Sequence, residues 1–243
     1  SDASTIMQFE QKSLGVIMLD TDFPRPPGDV GNSASWDMPV RFRKVVGASA
    51  DKIIRQRGAG LIEDFVEAGN ALIAEGCSAL VTSCGFMARH QSILSERLSV
   101  PIATSSLLQL PMVKALIGQT RKVGVITYDE ASLDEAIFLA CGADINTPRI
   151  GMPDGGAFRE LIEGSGTYDH SALEAEIIYA AQRLQSQEPD FGAVVLECTN
   201  MPPFAQAVAK ACGVPVFDIL SLGHWLFSST SSRAFAGMSE RVN

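Results

Sequence analysis

The chain repeats itself, and that constrains its fold more than any other feature. Ala79-Leu80-Val81-Thr82-Ser83-Cys84-Gly85-Phe86-Met87 and Ala193-Val194-Val195-Leu196-Glu197-Cys198-Thr199-Asn200-Met201 are both short apolar runs that stop on a cysteine, the second 114 positions after the first. Val100-Pro101-Ile102 returns at the same offset as Val214-Pro215-Val216. Upstream, Leu14-Gly15-Val16-Ile17 returns as Val123-Gly124-Val125-Ile126 and Asp20 as Asp129, both at an offset of 109. Strands rich in β-branched residues resemble one another by chance. An offset shared by strand, cysteine and Val-Pro strand marks a duplication, with repeat halves 14–117 and 122–227. A buried strand that breaks into a helix is the α/β pattern. The expected fold is therefore α/β: two similar lobes, each a parallel sheet flanked by helices, related by a pseudo-two-fold axis, with the active site in the cleft between them. The lobes are expected at approximately 1–103 plus 218–243, and 104–217.

Along the chain, Ser13 to Asp20 reads as a first buried strand, which puts Asp20 at the carboxyl edge of the sheet, where open α/β folds bind ligands. Phe23 to Met38, rich in Pro, Gly, Asn and Ser, is a long loop, either a lid or a surface excursion. Pro39 to Val46 alternates apolar and basic residues as a half-exposed strand does. Arg41, Arg43 and Lys44 are then its solvated face, or one of them, or Arg25 in the loop, binds a substrate carboxylate. Helices are expected over Leu61–Glu75, Met87–Leu98, Leu107–Ile117 (capped within Thr104-Ser105-Ser106), Asp129–Ala140, Ala172–Gln187 and a last segment through Phe227. Further strands are expected at Val123–Thr127 and Ile145–Ile150.

The net charge of −9 argues against nucleic acid or an anionic membrane as partner, and no apolar run reaches the length of a membrane span. Ser1 to Thr5 lack the basic and apolar segments of a secretory signal. Five scattered cysteines are not a disulfide framework, so a reducing cytoplasm is expected. Assembly into a homo-oligomer is left open.

Two lobes packed about a pseudo-two-fold axis bring equivalent cysteines to face one another. A thiolate on one side of a carbon acid removes a proton while a thiol on the other side delivers one, which inverts a stereocentre without moving the substrate. A helix N-terminus lowers a thiol pKa from about 8.5, so Cys84 and Cys198 are the candidate catalytic pair. Amide N–H groups of Gly85, Phe86, Thr199 and Asn200, with side chains of Thr82, Ser83, Thr127, Thr199 and Asn200, are the candidate donors to substrate oxygens; Asp20 completes the expected binding set. Cys77, Cys141 and Cys212 lack matched partners and read as small buried hydrophobes at helix ends or turns. The three histidines show no metal spacing, and no Walker loop, dinucleotide fingerprint or Schiff-base lysine accompanies the cysteines, so no cofactor is expected.

At these residues the chain resembles the aspartate/glutamate/hydantoin racemase superfamily, whose members carry a strand-end cysteine in each lobe, the second commonly in the Cys-Thr context of Cys198-Thr199. The resemblance implies a two-lobed α/β enzyme working without cofactor on a small-molecule carboxylate or carbonyl substrate. It departs from the amino-acid racemases at Cys84-Gly85-Phe86, at Asn200 and at Asp20-Thr21-Asp22. The expected activity is that of a cofactor-independent racemase or epimerase acting on an amino acid or derivative. The alternatives are a maleate-type isomerase, an arylmalonate-type decarboxylase, and a non-catalytic ligand-binding or redox-sensing protein.

Overall fold

The computed structural model describes residues 11–237; Ser1 to Thr5 and the end of the 218–243 segment lie outside the described residues. The first half runs β1 (Ser13–Met18), β2 (Val40–Lys44), α1 (Ala50–Ile54), α2 (Ile62–Ala74), β3 (Cys77–Thr82), α3 (Gln91–Arg97), β4 (Ile102–Ala103) and α4 (Leu110–Ile117). The second runs β5 (Lys122–Thr127), α5 (Glu135–Ala140), β6 (Arg149–Gly151), α6 (Ala157–Glu163), α7 (His170–Gln187), β7 (Phe191–Leu196), α8 (Ala205–Cys212) and β8 (Val216–Phe217), and α9 (Ile219–Thr230) comes last. Two four-stranded sheets result, ordered β2-β1-β3-β4 and β6-β5-β7-β8. Every pairing is parallel.

The duplication survives at the level of register. Leu14 pairs with Ala79 and Ile17 with Thr82 in the first sheet; Val123 pairs with Ala193 and Ile126 with Leu196 in the second. These are the same pairs once the two sequence offsets are applied. Both ladders also carry an irregularity at the same place, Ser13/Leu14 and Lys122/Val123. Gly15 and Gly124 occupy equivalent slots because a Cβ there would lie 2.6 Å from Leu80 Cδ2 or 2.5 Å from Phe191 Cε2. The core side chains are thus packed to the backbone itself.

All six residues of β7 are buried, which is why it reads as an unbroken apolar run rather than an alternating one. Edge strand β2 is mostly exposed, and its basic residues protect the free edge from further pairing. After β8, helix α9 crosses back onto the first sheet, where Ile219 and Leu222 pack with Leu14, Val16, Ala79 and Val81. No helix among the described residues is long and apolar enough to cross a membrane.

Several local expectations are corrected. The helix expected from Asp129 begins only at Glu135, because Asp134 caps it by accepting from the Ile137 amide. The strand expected over Ile145–Ile150 is only Arg149–Gly151. Met87–Leu98 divides into a 3₁₀ turn over Gly85–His90 and then α3. Cys77 opens β3 rather than a turn.

Candidate active site

The carboxyl ends of β3 and β7 deliver Cys84 and Cys198 to one small cavity between the lobes. Its wall also includes Ser83, Gly85, Phe86, Tyr128, Glu197, Thr199 and Asn200, together with Thr21, Phe23 and Arg25 from the loop after β1. Its free volume is about 30 Å³, room for one or two waters. Both cysteines are almost fully buried, at 7% and 6% exposure. The lobes are tied together beside them: the Thr199 hydroxyl donates to the Ser83 carbonyl at 2.6 Å, and the Ser106 hydroxyl donates to the Leu196 carbonyl at 2.6 Å.

Of the residues singled out in the sequence, Ser83, Gly85, Phe86, Thr199 and Asn200 reach this cavity with the cysteines, while Asp20, Thr82 and Thr127 do not line it. Asp20 instead accepts from the Gly47 amide at 2.8 Å and faces Lys44 at 3.7 Å. The Thr82 hydroxyl donates to the carbonyls of Thr104 and Cys84, bracing the strand end. Thr127 donates to Glu197 at 2.7 Å. The loop Phe23–Met38 is a wall of the cavity as well as a connection. Among the candidate cations Arg25 lines the cavity, whereas Arg41 and Arg43 sit on the exposed edge strand. The amides of Phe86 and Met87 face the sulfur of Cys84, and that of Asn200 faces the sulfur of Cys198. The Gly85 amide faces Glu197.

Glu197 is the residue that the sequence left unremarked. It is 1% exposed, and its Oε1 accepts from Thr127 Oγ1 and from the Tyr128 amide at 3.0 Å. Its other oxygen lies against Gly85, where any Cβ would collide with it. Burial pushes this carboxyl up to about 7 despite those donors. Tyr128, Asp29, Arg55 and Glu163 were likewise not anticipated. Arg55 pairs with Glu163 across the lobes through two nitrogens, and the Tyr128 hydroxyl donates to the same carboxylate.

The electrostatics overturn the expectation of acidified thiols. Burial, and after it the Glu197 carboxylate, drive the pKa of Cys84 and of Cys198 upward; the amides facing each sulfur offset only part of this. The expected helix N-termini are weak here because Cys84 opens a 3₁₀ turn and α8 begins only at Ala205. Nearby positive charge would favour the thiolate, and Arg25 is the cation that lines the cavity.

No protein-family model matches the chain. The dimethylsulfoniopropionate lyase of Durusdinium sp. clade D is 31% identical over 218 residues, covering 86% of this chain and 71% of that protein. This chain belongs to the dimethylsulfoniopropionate lyase family. A second member, dimethylsulfoniopropionate lyase 7 of Emiliania huxleyi (strain CCMP1516), is 28% identical over 231 residues, covering 90% of this chain and 67% of its own length. Among solved structures, allantoin racemase from Klebsiella pneumoniae superposes with a TM-score of 0.62 at 18% identity, over 90% of this chain and 86% of that one. A sulfate-associated variant of arylmalonate decarboxylase gives 0.60 at 16% identity, over 91% and 94%. The chain therefore shares the two-lobed fold of the aspartate/glutamate racemase superfamily. The expectation of a racemase or other isomerase is overturned, because the relatives that share sequence over most of the chain are named as lyases. Its physical basis was incomplete: paired thiols beside a carbon acid specify proton removal, and the fate of the carbanion depends on whether the substrate carries a leaving group.

Proposed function

We propose that the protein is a lyase that splits dimethylsulfoniopropionate, or a close sulfonium carboxylate, into acrylate and dimethyl sulfide. The observation that carries this reading is the composition of the cavity holding both thiols. Arg25 stands at one side, and Phe23, Phe86, Tyr128 and Glu197 also line it. A guanidinium suits the substrate carboxylate. Aromatic faces and a buried carboxylate suit a sulfonium, a soft cation that donates no hydrogen bonds.

One thiolate of the pair takes the proton from the carbon next to the carboxylate. That C–H bond breaks and an S–H bond forms. The electron pair becomes the new C=C bond while the β-carbon–sulfur bond breaks, and dimethyl sulfide leaves as a neutral molecule. The thiol then returns its proton to water. The cationic substrate also adds positive charge beside the sulfurs, which favours the thiolate that burial otherwise disfavours. Dimethylsulfoniopropionate is far larger than the free volume, so part of the cavity wall must move to admit it. All five cysteines are unpaired, which supports a reducing compartment such as the cytoplasm.

Headspace gas chromatography of the protein incubated with dimethylsulfoniopropionate is the direct test. Dimethyl sulfide should be released, and replacing the thiol that takes the proton, by Cys84→Ser or by Cys198→Ser, should lower the rate by roughly 10²–10⁴-fold, as loss of a positioned proton-transfer group does. No release by the unmodified protein, or unchanged rates in both variants, overturns the proposal.

A further inference from the structure

The two thiols are matched by the repeat but not by their surroundings. Cys198 Sγ donates to Asn200 Oδ1 at 3.5 Å, and Asn200 Nδ2 donates to Asp29 Oδ2 at 2.6 Å. A carboxylate only accepts, so Asp29 decides which end of the Asn200 amide turns toward the sulfur: the oxygen. Asp29 is itself held. It is 2% exposed, and its Oδ1 accepts from Arg25 at 2.8 Å and from the Gly31 amide at 2.9 Å. The loop that carries it reaches from the first lobe onto the second, where the Val30 amide donates to the Thr199 carbonyl at 3.2 Å. Gly28, at φ +100°, sits so close to Pro203 that a Cβ would lie 2.9 Å from its Cα.

In the repeat, Asn200 corresponds to Phe86, which has no polar group to offer Cys84. The sulfur of Cys84 meets two amide donors, from Phe86 and Met87, and no acceptor side chain among the described residues, whereas that of Cys198 meets one amide donor, from Asn200, and the Asn200 side-chain oxygen as acceptor. Donors to sulfur favour the thiolate, whereas an acceptor of the S–H favours the thiol. The other ionisable groups around Cys198 are Glu197 and Tyr128 from its own lobe, Cys84 across the cavity, and Arg25 behind Asp29. Glu197 raises both thiols, whereas Asp29 raises Cys198.

We propose that Asp29 is a positioning residue that divides the labour of the two thiols: by locking Asn200 it keeps the proton on Cys198 and leaves Cys84 to take the substrate's α-proton. This rests on the lyase reading for the reaction, but not for the state of the thiols. Cys84 loses its own proton to water when the cationic substrate enters, accepts the α-proton, and releases it after dimethyl sulfide departs. Cys198 remains a fixed S–H throughout.

The test is alkylation of the full chain by iodoacetamide from pH 6 to 10, with peptide mass spectrometry tracking Cys84 and Cys198 separately. Each cysteine's midpoint is read on its own scale, so unequal access drops out. Cys84 should reach half-maximal reactivity at lower pH than Cys198. In Asp29→Asn, and in Asn200→Ala should the first variant fail to fold, labelling of Cys198 at pH 8 should rise about tenfold, with Cys84 unchanged. For dimethyl sulfide release, the same variants should lower kcat more than they raise KM. An unshifted Cys198 in both variants, or Cys198 titrating before Cys84 in the unmodified protein, overturns the inference. Shifted thiols without dimethyl sulfide release would instead sink the lyase reading alone.

Discussion

Replacing Glu197 by Gln should change how stability depends on pH more than it changes any single contact. The folded protein holds the Glu197 proton with a pKa pushed from the ordinary 4.5 up to about 7 by burial, so over that window it binds more protons than the unfolded chain. Stability therefore falls as pH rises: the carboxyl costs nothing well below 4.5 and its full penalty is felt above 7. At about 1.4 kcal/mol per pKa unit, the whole penalty is about 3 kcal/mol, and most of it develops between pH 5 and 8. Gln carries no such titration. Its amide keeps an acceptor for Thr127 and the Tyr128 amide but turns an N–H toward Gly85, a mismatch that offsets the variant by the same amount at every pH. Urea unfolding of both proteins at half-unit steps from pH 5 to 8 reads the difference. The stability of Glu197→Gln relative to the unmodified protein should climb by about 2–3 kcal/mol across the series. Titrating groups that do not act on Glu197 are common to both chains and cancel; Cys84, Cys198 and Asp129 are the groups coupled to it. Two curves that run parallel within about 0.5 kcal/mol would refute the reasoning, because the carboxyl would then titrate alike in the folded and unfolded chains.

Two further expectations concern the same cavity. In Gly85→Ala the new methyl would lie 2.8 Å from Glu197 Cγ and against its carbonyl and carboxylate, so the variant should lose about 1–3 kcal/mol through overpacking and release little dimethyl sulfide; thermal melts that match the unmodified protein would contradict this. Arg25→Lys keeps the charge but loses the fork that holds Asp29 and Thr21 together, each at 2.8 Å. KM for dimethylsulfoniopropionate should rise by about tenfold to a hundredfold, the scale of a charged hydrogen bond, with kcat changing less. An unchanged KM would place the carboxylate elsewhere.

What could be read in the amino-acid order was whatever short-range pattern encodes. Val/Ile-rich runs, the 109 and 114 offsets and cysteines at strand ends are local signals, and parallel strands buried on both faces write them plainly. They foretold two similar sheets, and the structure repeats even their register. Of the residues expected around the thiols, Ser83, Gly85, Phe86, Thr199 and Asn200 do line the cavity. Thr82 and Thr127 are the last residues of their strands, but their hydroxyls are committed to bracing backbone and Glu197 instead.

The rest was decided by folding. Asp29 meets Asn200 across 171 positions of chain, and Thr199 meets Ser83 across 116; no periodicity announces such pairs. Glu197 looked like one polar residue in an apolar run until burial against Gly85 raised its pKa and set it beside both sulfurs. The thiols themselves were visible from the start, but their acidity depends on what surrounds them, and desolvation outweighs the amides that face them. The order of residues thus determined which groups exist and which strand ends carry them. Only the closing of two lobes over one buried cavity determined their charge, because the free energy of an ion depends on its neighbours in space and not in sequence.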